Sequence, residues 1–198
     1  KKIKMTEINL LRSLPKSKRC IANRKNNKTI EHIKVSKEYG KMYFDGPREY
    51  GYGGYVYDGR WKSVAKDICN HYHLKKNEKF LDIGCAKGFL VKDMLEIGID
   101  SYGVDISDYA IANSEKETYG RLHKCSAISL PFPDNSFDCV VSINTLHNFN
   151  KSDFITALKE MIRVGKKSFF IQVDSYYNEY QKKVFEDWVL TAEHHDYP

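Results

Sequence analysis

The sequence predicts a doubly wound α/β fold, in which a mainly parallel sheet carries helices on both faces. From Lys79 onward, short apolar runs of strand length alternate with helical segments of about ten residues, a pattern typical of parallel sheets. Residues 137–143 (FDCVVSI) form a continuous apolar run, as expected of a strand buried on both faces. In such sheets a ligand lies beyond the carboxyl ends of the strands, where the strand order reverses. The segments to search are those after residues 83, 105, 125 and 143.

The elements follow one another in a regular order. A helix is expected over residues 60–73, because its apolar residues share one helical face: Trp61, Val64, Ala65, Ile68, Cys69 and Tyr72. Strands are expected at 79–83, 101–105, 121–125, 137–143 and 167–174. Helices are expected at 87–97, at 107–118 with Ser107 as its cap, and at 151–164 with Ser152 or Asp153 as its cap. Residues 176–198 offer one more helix and leave no room for a terminal hairpin, so we expect that hairpin to be missing.

Length and composition fit one globular domain. The chain has 198 residues, of which 41% are hydrophobic and 13% aromatic, and this excludes wholesale disorder. No apolar run approaches the roughly 18–20 residues that span a bilayer, and the lysine-rich start lacks the apolar stretch of a signal peptide. We therefore expect a cytoplasmic protein without a membrane span. The five cysteines (Cys20, Cys69, Cys85, Cys125 and Cys139) have no zinc-ligand spacing, which indicates free thiols and no metal site.

The net charge of +6 is unevenly distributed. Residues 1–41 hold 13 Lys and Arg against three Asp and Glu, whereas residues 42–198 hold 19 against 23. We therefore divide the chain into a basic amino-terminal arm (1–41), a Gly/Tyr-rich loop that could act as a lid (42–60) and a main domain (61–198). The arm is interpreted as a solvated tail, with attraction to RNA, membranes or acidic substrates as the alternative.

The first strand runs into the segment LDIGCAKG, residues 81–88. Glycines four apart let the backbone turn sharply and approach a ligand closely. Asp82 stands before Gly84 and Gly88, and its carboxylate would repel a pyrophosphate but suits an ammonium or hydroxyl groups. The second strand ends at Asp105, 23 positions later, close to the offset of a carboxylate that binds ribose hydroxyls. Alternatively, Asp105 or Asp108 merely caps the next helix.

The third segment decides between these interpretations. LDIGCAKG, YGVD and SLPFPDNSFDCVVSINTLHNF, read in order over roughly residues 60–175, resemble the class I S-adenosylmethionine-dependent methyltransferases of the small-molecule branch. The resemblance implies a Rossmann-like fold with S-adenosylmethionine as cofactor and S-adenosylhomocysteine as product. It also implies binding residues. Gly84, Cys85 and Gly88 would lie under the methionine part and Asp82 would orient it, Asp105 would hold the ribose, Ile106 would flank adenine, and Ser126 with Ala127 would meet its edge.

Two positions depart from the family pattern. Ala86 stands where glycine is usual, and Ser126 stands where an acid usually accepts from the adenine amino group. The hydroxyl of Ser126 can still accept a hydrogen bond. We therefore expect weaker cofactor binding, rather than none.

The fourth strand leads into Asn144 and His147, which the resemblance places beside the reacting methyl group and the cofactor. His147 is the candidate general base, since its ordinary pKa of about 6.5 is near working pH. Alternatively, it only contacts the loop or the cofactor.

The segment from Phe44 to Trp61 is dense in glycine and aromatic residues. Its rings could form a lid over a sulfonium through cation–π contacts, and its arginines could bind a carboxylate or phosphate. The alternative is a packing loop. The candidate lid or substrate residues are Arg48, Tyr50, Tyr52, Tyr55, Tyr57, Arg60 and Trp61.

These features predict methyl transfer to O or N of a small polar metabolite, with a sugar or phosphorylated precursor of a bacterial surface glycan as one possibility. A nucleic-acid methyltransferase that uses the basic arm, and a non-catalytic nucleoside-binding module, are the alternatives. No Asn-Pro-Pro-aromatic or Pro-Cys motif follows the fourth strand, which argues against nucleic acid as the acceptor. The sequence leaves the acceptor and the oligomeric state open.

Overall fold

The computed structural model describes residues 6–15 and 21–192, and a five-stranded parallel sheet organises them. The strands lie in the order β3-β2-β1-β4-β5, and all four pairings are parallel. Their bounds are Lys79–Ile83 (β1), Asp100–Asp105 (β2), Leu122–Lys124 (β3), Phe137–Ile143 (β4) and Gly165–Gln172 (β5). The predicted doubly wound α/β fold is confirmed.

Eight α-helices flank the sheet within the described residues. They are Ile21–Asn27 (α1), Ile30–Ser36 (α2), Lys41–Asp45 (α3), Trp61–Tyr72 (α4), Phe89–Glu96 (α5), Asp108–Ala112 (α6), Lys151–Val164 (α7) and Glu179–Trp188 (α8). Short 3-10 turns occupy Lys116–Thr118 and Leu146–Asn148.

Several predicted boundaries differ from those in the structure. The helix predicted over 107–118 ends at Ala112, because Asn113 and Ser114 favour caps and turns over helix interiors. Ser107 does cap that helix, and its side chain accepts from the Ala110 N–H. The cap of α7 is Asn150, whose side chain accepts from the Asp153 N–H. The last strand, β5, begins at residue 165 and not at 167.

Alternate residues of the central strands build two cores. Phe80 of β1 and Val141 of β4 pack with α4 and α5 on one face, whereas Leu81 and Val140 pack with α7 on the other. All four side chains are fully buried. The two-residue alternation of strand side chains thus explains why both faces need helices.

Strand order reverses at β1. The chain builds β1, β2 and β3 outward in one direction and then returns to place β4 on the other side of β1. The loops that follow the neighbouring strands β1 and β4 therefore lead away from each other and leave a crevice between them. A doubly wound sheet binds its ligand in such a crevice.

The described residues of the basic segment 1–41 pack against the rest of the fold. Leu10 is buried in the core beneath α4. Helix α1 lies against α8, where Lys25 pairs with Asp187 at 3.1 Å and the guanidinium of Arg24 lies 5.0 Å from the Trp188 ring centroid. These residues are therefore not the solvated tail that the charge pattern favoured. Cys20 lies outside the described residues.

Cys69, Cys85, Cys125 and Cys139 are free thiols, as predicted. No helix within the described ranges is both long and apolar enough to cross a bilayer.

Candidate functional site

The turn after β1 is the tightest part of the site. Gly84 and Gly88 have φ values of +81° and +74°, in the left-handed region that glycine adopts without steric cost. A Cβ on Gly84 would lie 1.9 Å from the Thr145 side-chain oxygen. The turn after β1 therefore touches the loop after β4, and only glycine fits between them.

Ala86 adopts a left-handed backbone with φ of +50°. Its N–H donates to Oδ2 of Asp105 at 2.8 Å, while the Ser107 N–H donates to Oδ1 at 2.9 Å. The carboxylate thus orders the turns after β1 and β2 together. Burial raises the pKa of Asp105, and these backbone donors partly offset that shift. Each oxygen keeps a lone pair that can accept from a ligand hydroxyl.

Asp82 lies at the end of β1 and is 6% exposed. Burial, followed by the charge of Asp105, raises the pKa of Asp82 to about 7. A buried carboxyl in this state gains most from a positively charged ligand group, because such a group favours its ionised form.

Two adjoining cavities open at these loops. The larger, about 300 Å³, is lined by Lys37, Glu38, Tyr39, Tyr43, Phe44, Tyr52, Ile83, Gly84, Ala86, Val104, Asp105, Ile106, Cys125, Ser126, Ala127, Asn144, Thr145, Asn148 and Phe149. The smaller, about 60 Å³, is lined by Tyr52, Tyr55, Trp61, Asp82, Gly84, Cys85, Ala86, Leu90, Ile143, Asn144 and Thr145. Gly84 and Asn144 belong to both walls, so one elongated molecule could occupy both spaces.

Most of the predicted cofactor residues line these walls. Asp105, Ile106, Ser126 and Ala127 face the larger cavity, and Asp82 and Cys85 face the smaller one. Gly88 is not among the described lining residues. A Cβ on Gly88 would lie 2.8 Å from a methyl carbon of Leu122, so its place is at the junction of α5 with β3.

The aromatic segment is divided between the cavities and the body. Tyr52 lines both cavities, and Tyr55 and Trp61 line the smaller one. The ring centroids of Tyr52 and Tyr55 are 4.4 Å apart, and Tyr55 stacks on Phe89 at 4.7 Å. These rings form a wall over the turn after β1.

Four other candidates of this segment lie elsewhere. The Tyr57 hydroxyl donates to Asp93 at 2.5 Å, Arg60 pairs with Asp58 at 2.6 Å, and the Tyr50 ring meets His32 edge-on at 4.9 Å. The guanidinium of Arg48 lies 5.6 Å from the Trp188 ring centroid, in a separate pocket. Alternation with glycine could not distinguish rings that face a cavity from rings that pack beside it.

His147 lies in the 3-10 turn after β4 and is not among the described residues that line either cavity. Its Nδ1 accepts from the Asp174 N–H at 3.0 Å. Burial lowers the pKa of His147, although Asp174 opposes this shift. A neutral ring whose Nδ1 is already engaged carries its own proton on Nε2. This geometry speaks against the predicted role as general base.

Sequence reasoning missed a half-buried group of hydrogen bonds at Asp45. The carboxylate of Asp45 accepts from the ammonium of Lys87 at 2.6 Å, from the Tyr109 hydroxyl at 2.7 Å and from the Tyr55 N–H at 3.0 Å. Burial alone would raise the pKa of Asp45, but these donors, Lys87 first among them, lower it. These hydrogen bonds tie the aromatic wall to the turn after β1 through Lys87, which is 7% exposed.

The missed wall residues come from α3 and from the turn that precedes it. Tyr39, Tyr43 and Phe44 line the larger cavity, although they precede the first strand by more than thirty positions. Their only sequence signal was the aromatic density before Trp61. Within the described ranges, no three His, Cys, Asp or Glu residues are grouped to hold a metal ion.

Residues 81–171 match the protein-family model described as "Methyltransferase domain". This segment contains the turn after β1, both strand-end acids and the loop after β4. Residues 81–171 are therefore similar to methyltransferase domains. The cofactor that this domain implies is S-adenosylmethionine.

Curated relatives share this likeness, and solved structures share the fold. The chain is 34% identical over 116 residues to demethylmenaquinone methyltransferase of Geobacillus stearothermophilus, which covers 54% of this chain and 47% of that protein. It is 26% identical over 158 residues to a sterol 4-C-methyltransferase of Caenorhabditis elegans, which covers 70% of this chain and 46% of that protein. The chain thus spans about half the length of these relatives.

Among solved structures, an S-adenosylmethionine-dependent methyltransferase from Clostridium acetobutylicum superposes with a TM-score of 0.52. The sequence identity is 19%, and the superposition covers 62% of this chain and 52% of the other. At this identity the likeness concerns the fold.

Proposed function

We propose that this protein binds S-adenosylmethionine across the two cavities and transfers its methyl group to a small molecule. The observation that supports this most directly is the position of Gly84. It lines both the cavity that contains Asp105 and the cavity that contains Asp82, so a ligand that lies along this turn could reach both acids.

The two acids suit the two ends of the cofactor. Asp105 offers the ribose hydroxyls an oxygen acceptor that is already oriented by two backbone donors, so binding needs little reorganisation. Asp82 offers the ammonium of the methionine part a buried carboxylate. Ile106 and Ala127 supply apolar surface for the adenine ring, and Ser126 supplies the hydroxyl that replaces the usual acid.

S-adenosylmethionine, when bound, supplies a methyl group that its sulfonium already activates. The chain must then exclude water and align the acceptor. Tyr52, Tyr55 and Trp61 form the wall that would exclude water, and ring faces attract a sulfonium by about 0.5–2 kcal/mol. His147 positions the loop after β4 by accepting from the Asp174 N–H.

For the acceptor we propose a small polar molecule methylated at O or N, with sugars and phosphorylated sugar precursors as the first candidates. The outer wall of the larger cavity includes Lys37, Glu38 and the hydroxyl-bearing Tyr39 and Tyr43, which suits hydroxyl-rich molecules. Two matched relatives are named as methyltransferases of demethylmenaquinone and of sterols. Quinols and sterols are therefore the acceptors against which polar molecules should be compared.

Release of S-adenosylhomocysteine tests the proposal. The protein is incubated with S-adenosylmethionine and pools of sugars, phosphorylated sugars, quinols and sterols, and each product is identified by mass. Turnover with a polar pool, lost in Asp82→Asn, supports the proposal. Turnover only with quinols or sterols would overturn the acceptor class. Cofactor binding without turnover on any pool would favour a nucleoside-binding module.

A further inference from the structure

A third pocket lies away from the two cofactor cavities, where α1, the start of α2 and α8 meet the segment before Tyr50. We call it the α1–α8 pocket. It has a volume of about 170 Å³ and is lined by Asn23, Arg24, Asn27, Lys28, His32, Arg48, Glu49 and Trp188. That volume is well above the roughly 10–15 Å³ that a single water requires.

Three cationic side chains of the described residues share this wall and donate to backbone carbonyls. Arg24 donates to the carbonyl of Glu49 at 2.9 Å, Lys28 donates to the carbonyl of Val189 at 3.3 Å, and Arg48 donates to the carbonyl of Gly51. Among the described residues, none of the three lies within salt-bridge distance of a carboxylate. The carboxyl group of the wall is that of Glu49, so the wall keeps a net positive charge.

The two guanidinium groups approach the same indole ring. Their central carbons lie 5.0 Å (Arg24) and 5.6 Å (Arg48) from the Trp188 ring centroid. Contact with an aromatic ring restricts the orientation of each planar fork. Each fork has five N–H donors, and the carbonyl contacts described above engage a single nitrogen of each, so donors remain for a ligand.

Burial disfavours the positive charges of Arg24 and Lys28. Burial, followed by the charge of Arg48, lowers the pKa of Arg24, and Glu49 opposes this shift. Burial lowers the pKa of Lys28 in spite of the neighbouring carboxylates of Asp187 and Glu186. Clustered cations that lose part of their hydration destabilise the fold unless an anion joins them.

We propose that the α1–α8 pocket binds a phosphate group, held by the guanidinium forks of Arg24 and Arg48 and the ammonium of Lys28. Arginine forks match the oxygens of a phosphate bidentately, and a lysine adds a point charge. The amide side chains of Asn23 and Asn27 lie on the same wall and can donate to further oxygens. Two sources share this chemistry, namely a phosphate ester on the acceptor and free phosphate.

The pocket is connected to the aromatic wall through the backbone. The Ser36 hydroxyl donates to the carbonyl of Tyr50 at 2.5 Å, and the Tyr52 N–H donates to the carbonyl of Tyr43 at 2.9 Å. A phosphate that draws Arg48 and Arg24 together would therefore hold the segment immediately before Tyr52. This inference does not depend on the proposed methyl transfer, because it rests on residues outside both cofactor cavities.

Calorimetric titration of the whole chain with inorganic phosphate, at constant ionic strength, tests the site. We expect saturable binding of phosphate. Sulfate should compete with phosphate for the pocket, and chloride should not. Arg24→Gln and Arg48→Gln should each weaken it at least tenfold, whereas Arg60→Gln, which removes an exposed arginine paired with Asp58, should change it less than twofold. Thermal unfolding without phosphate checks that each variant is folded.

Glu49→Gln should change the affinity for phosphate in the opposite direction to the arginine variants. Removing the carboxylate from the wall should tighten phosphate binding about two- to fivefold, an effect that a purely structural role of Arg24 and Arg48 does not predict. Absence of saturable phosphate binding by the folded wild type would overturn the proposal, as would equal affinity in Arg48→Gln and Arg60→Gln. Binding of short RNA that phosphate does not compete would overturn it in favour of a polynucleotide surface.

Two further titrations distinguish the sources of the phosphate. A sugar phosphate that binds more tightly than inorganic phosphate, and more tightly still with S-adenosylhomocysteine present, assigns the group to the acceptor. Equal affinities with and without S-adenosylhomocysteine assign the pocket to free phosphate. Titration with S-adenosylhomocysteine alone reports on the cofactor cavities separately, so failure of one proposal leaves the other measurable.

Discussion

A side chain at position 84 has no room, because the turn after β1 and the loop after β4 meet there. A Cβ at this position would clash with the Thr145 side chain at 1.9 Å, and the φ of +81° disfavours any L-residue. The close packing of these two loops therefore demands glycine at this position.

Gly84→Ala should lower the free energy of unfolding by about 2–5 kcal/mol, combining the backbone cost of a left-handed residue with the clash. Gly120→Ala is the matched control, since Gly120 has φ of +76° and a Cβ added there would have nothing within 4 Å. It should cost only about 1–2 kcal/mol. Urea unfolding measures both, and equal losses would contradict the close contact with Thr145.

The raised pKa of Asp82 predicts that the free energy of unfolding depends on pH. This pKa is about 7 in the folded protein and about 3.9 in an unfolded chain. Between these values the folded state holds the proton and the unfolded state has lost it. The contribution of Asp82 to stability is therefore fully present below about pH 4 and is lost as pH rises toward 7, by up to about 1.4 kcal/mol per pH unit.

Urea unfolding of the wild type and of Asp82→Asn from pH 4.5 to 8 measures this contribution. The wild type should lose stability relative to Asp82→Asn as pH rises, and the difference should level off above about pH 7. A difference that stays constant over this range would show that the carboxyl is already ionised in the folded protein at pH 4.5.

At the scale of elements, the loop between β3 and β4 is held by Arg163 of α7. Its guanidinium donates to the carbonyls of Leu130 at 3.0 Å and Phe132 at 2.7 Å, and to the Asp134 carboxylate at 3.0 Å. Glu160 pairs with Arg163 at 2.7 Å and accepts from the Leu130 N–H at 2.8 Å. The motif SLPFPDNSFD that carried the resemblance is thus a loop clamped onto α7.

Arg163→Lys should lower the free energy of unfolding by about 2–3 kcal/mol, because an ammonium cannot reach both carbonyls and both carboxylates, and partly buried acceptors would lose their partner. Arg60→Lys is the control, since its exposed pair with Asp58 should contribute at most about 1 kcal/mol. Chemical unfolding of both variants measures the difference. Similar small losses would show that the loop holds its shape without α7.

Elements with strong local patterns were predictable, and contacts between distant segments were not. The apolar run of β4 and the helical face of α4 gave their positions almost to the residue. The strand-end acids Asp82 and Asp105 followed from parallel topology, which places carboxyl ends together. Asp45 could not be found this way, because its partners Lys87 and Tyr109 lie 42 and 64 positions away.

For the whole molecule, the charge pattern had suggested an arm separate from the body. The count of charged residues was correct, but it did not show that Leu10 enters the core or that α1 packs on α8. Several basic residues instead surround the α1–α8 pocket. The segments before β1 therefore supply part of the wall of the larger cavity and most of the wall of the α1–α8 pocket, which a domain division based on charge does not show.

The proposed function requires one molecule to occupy both cofactor cavities, with Asp105 at its ribose. Calorimetric titration with S-adenosylhomocysteine tests this most directly. The wild type should bind it, and Asp105→Asn should bind at least tenfold more weakly, since hydrogen bonds to a charged acceptor are worth about 1.5–3 kcal/mol. Asp108→Asn, which changes an exposed carboxylate three residues away that pairs with Lys124, should bind within twofold of the wild type. No binding by the folded wild type, or equal affinity in Asp105→Asn, would contradict this binding mode.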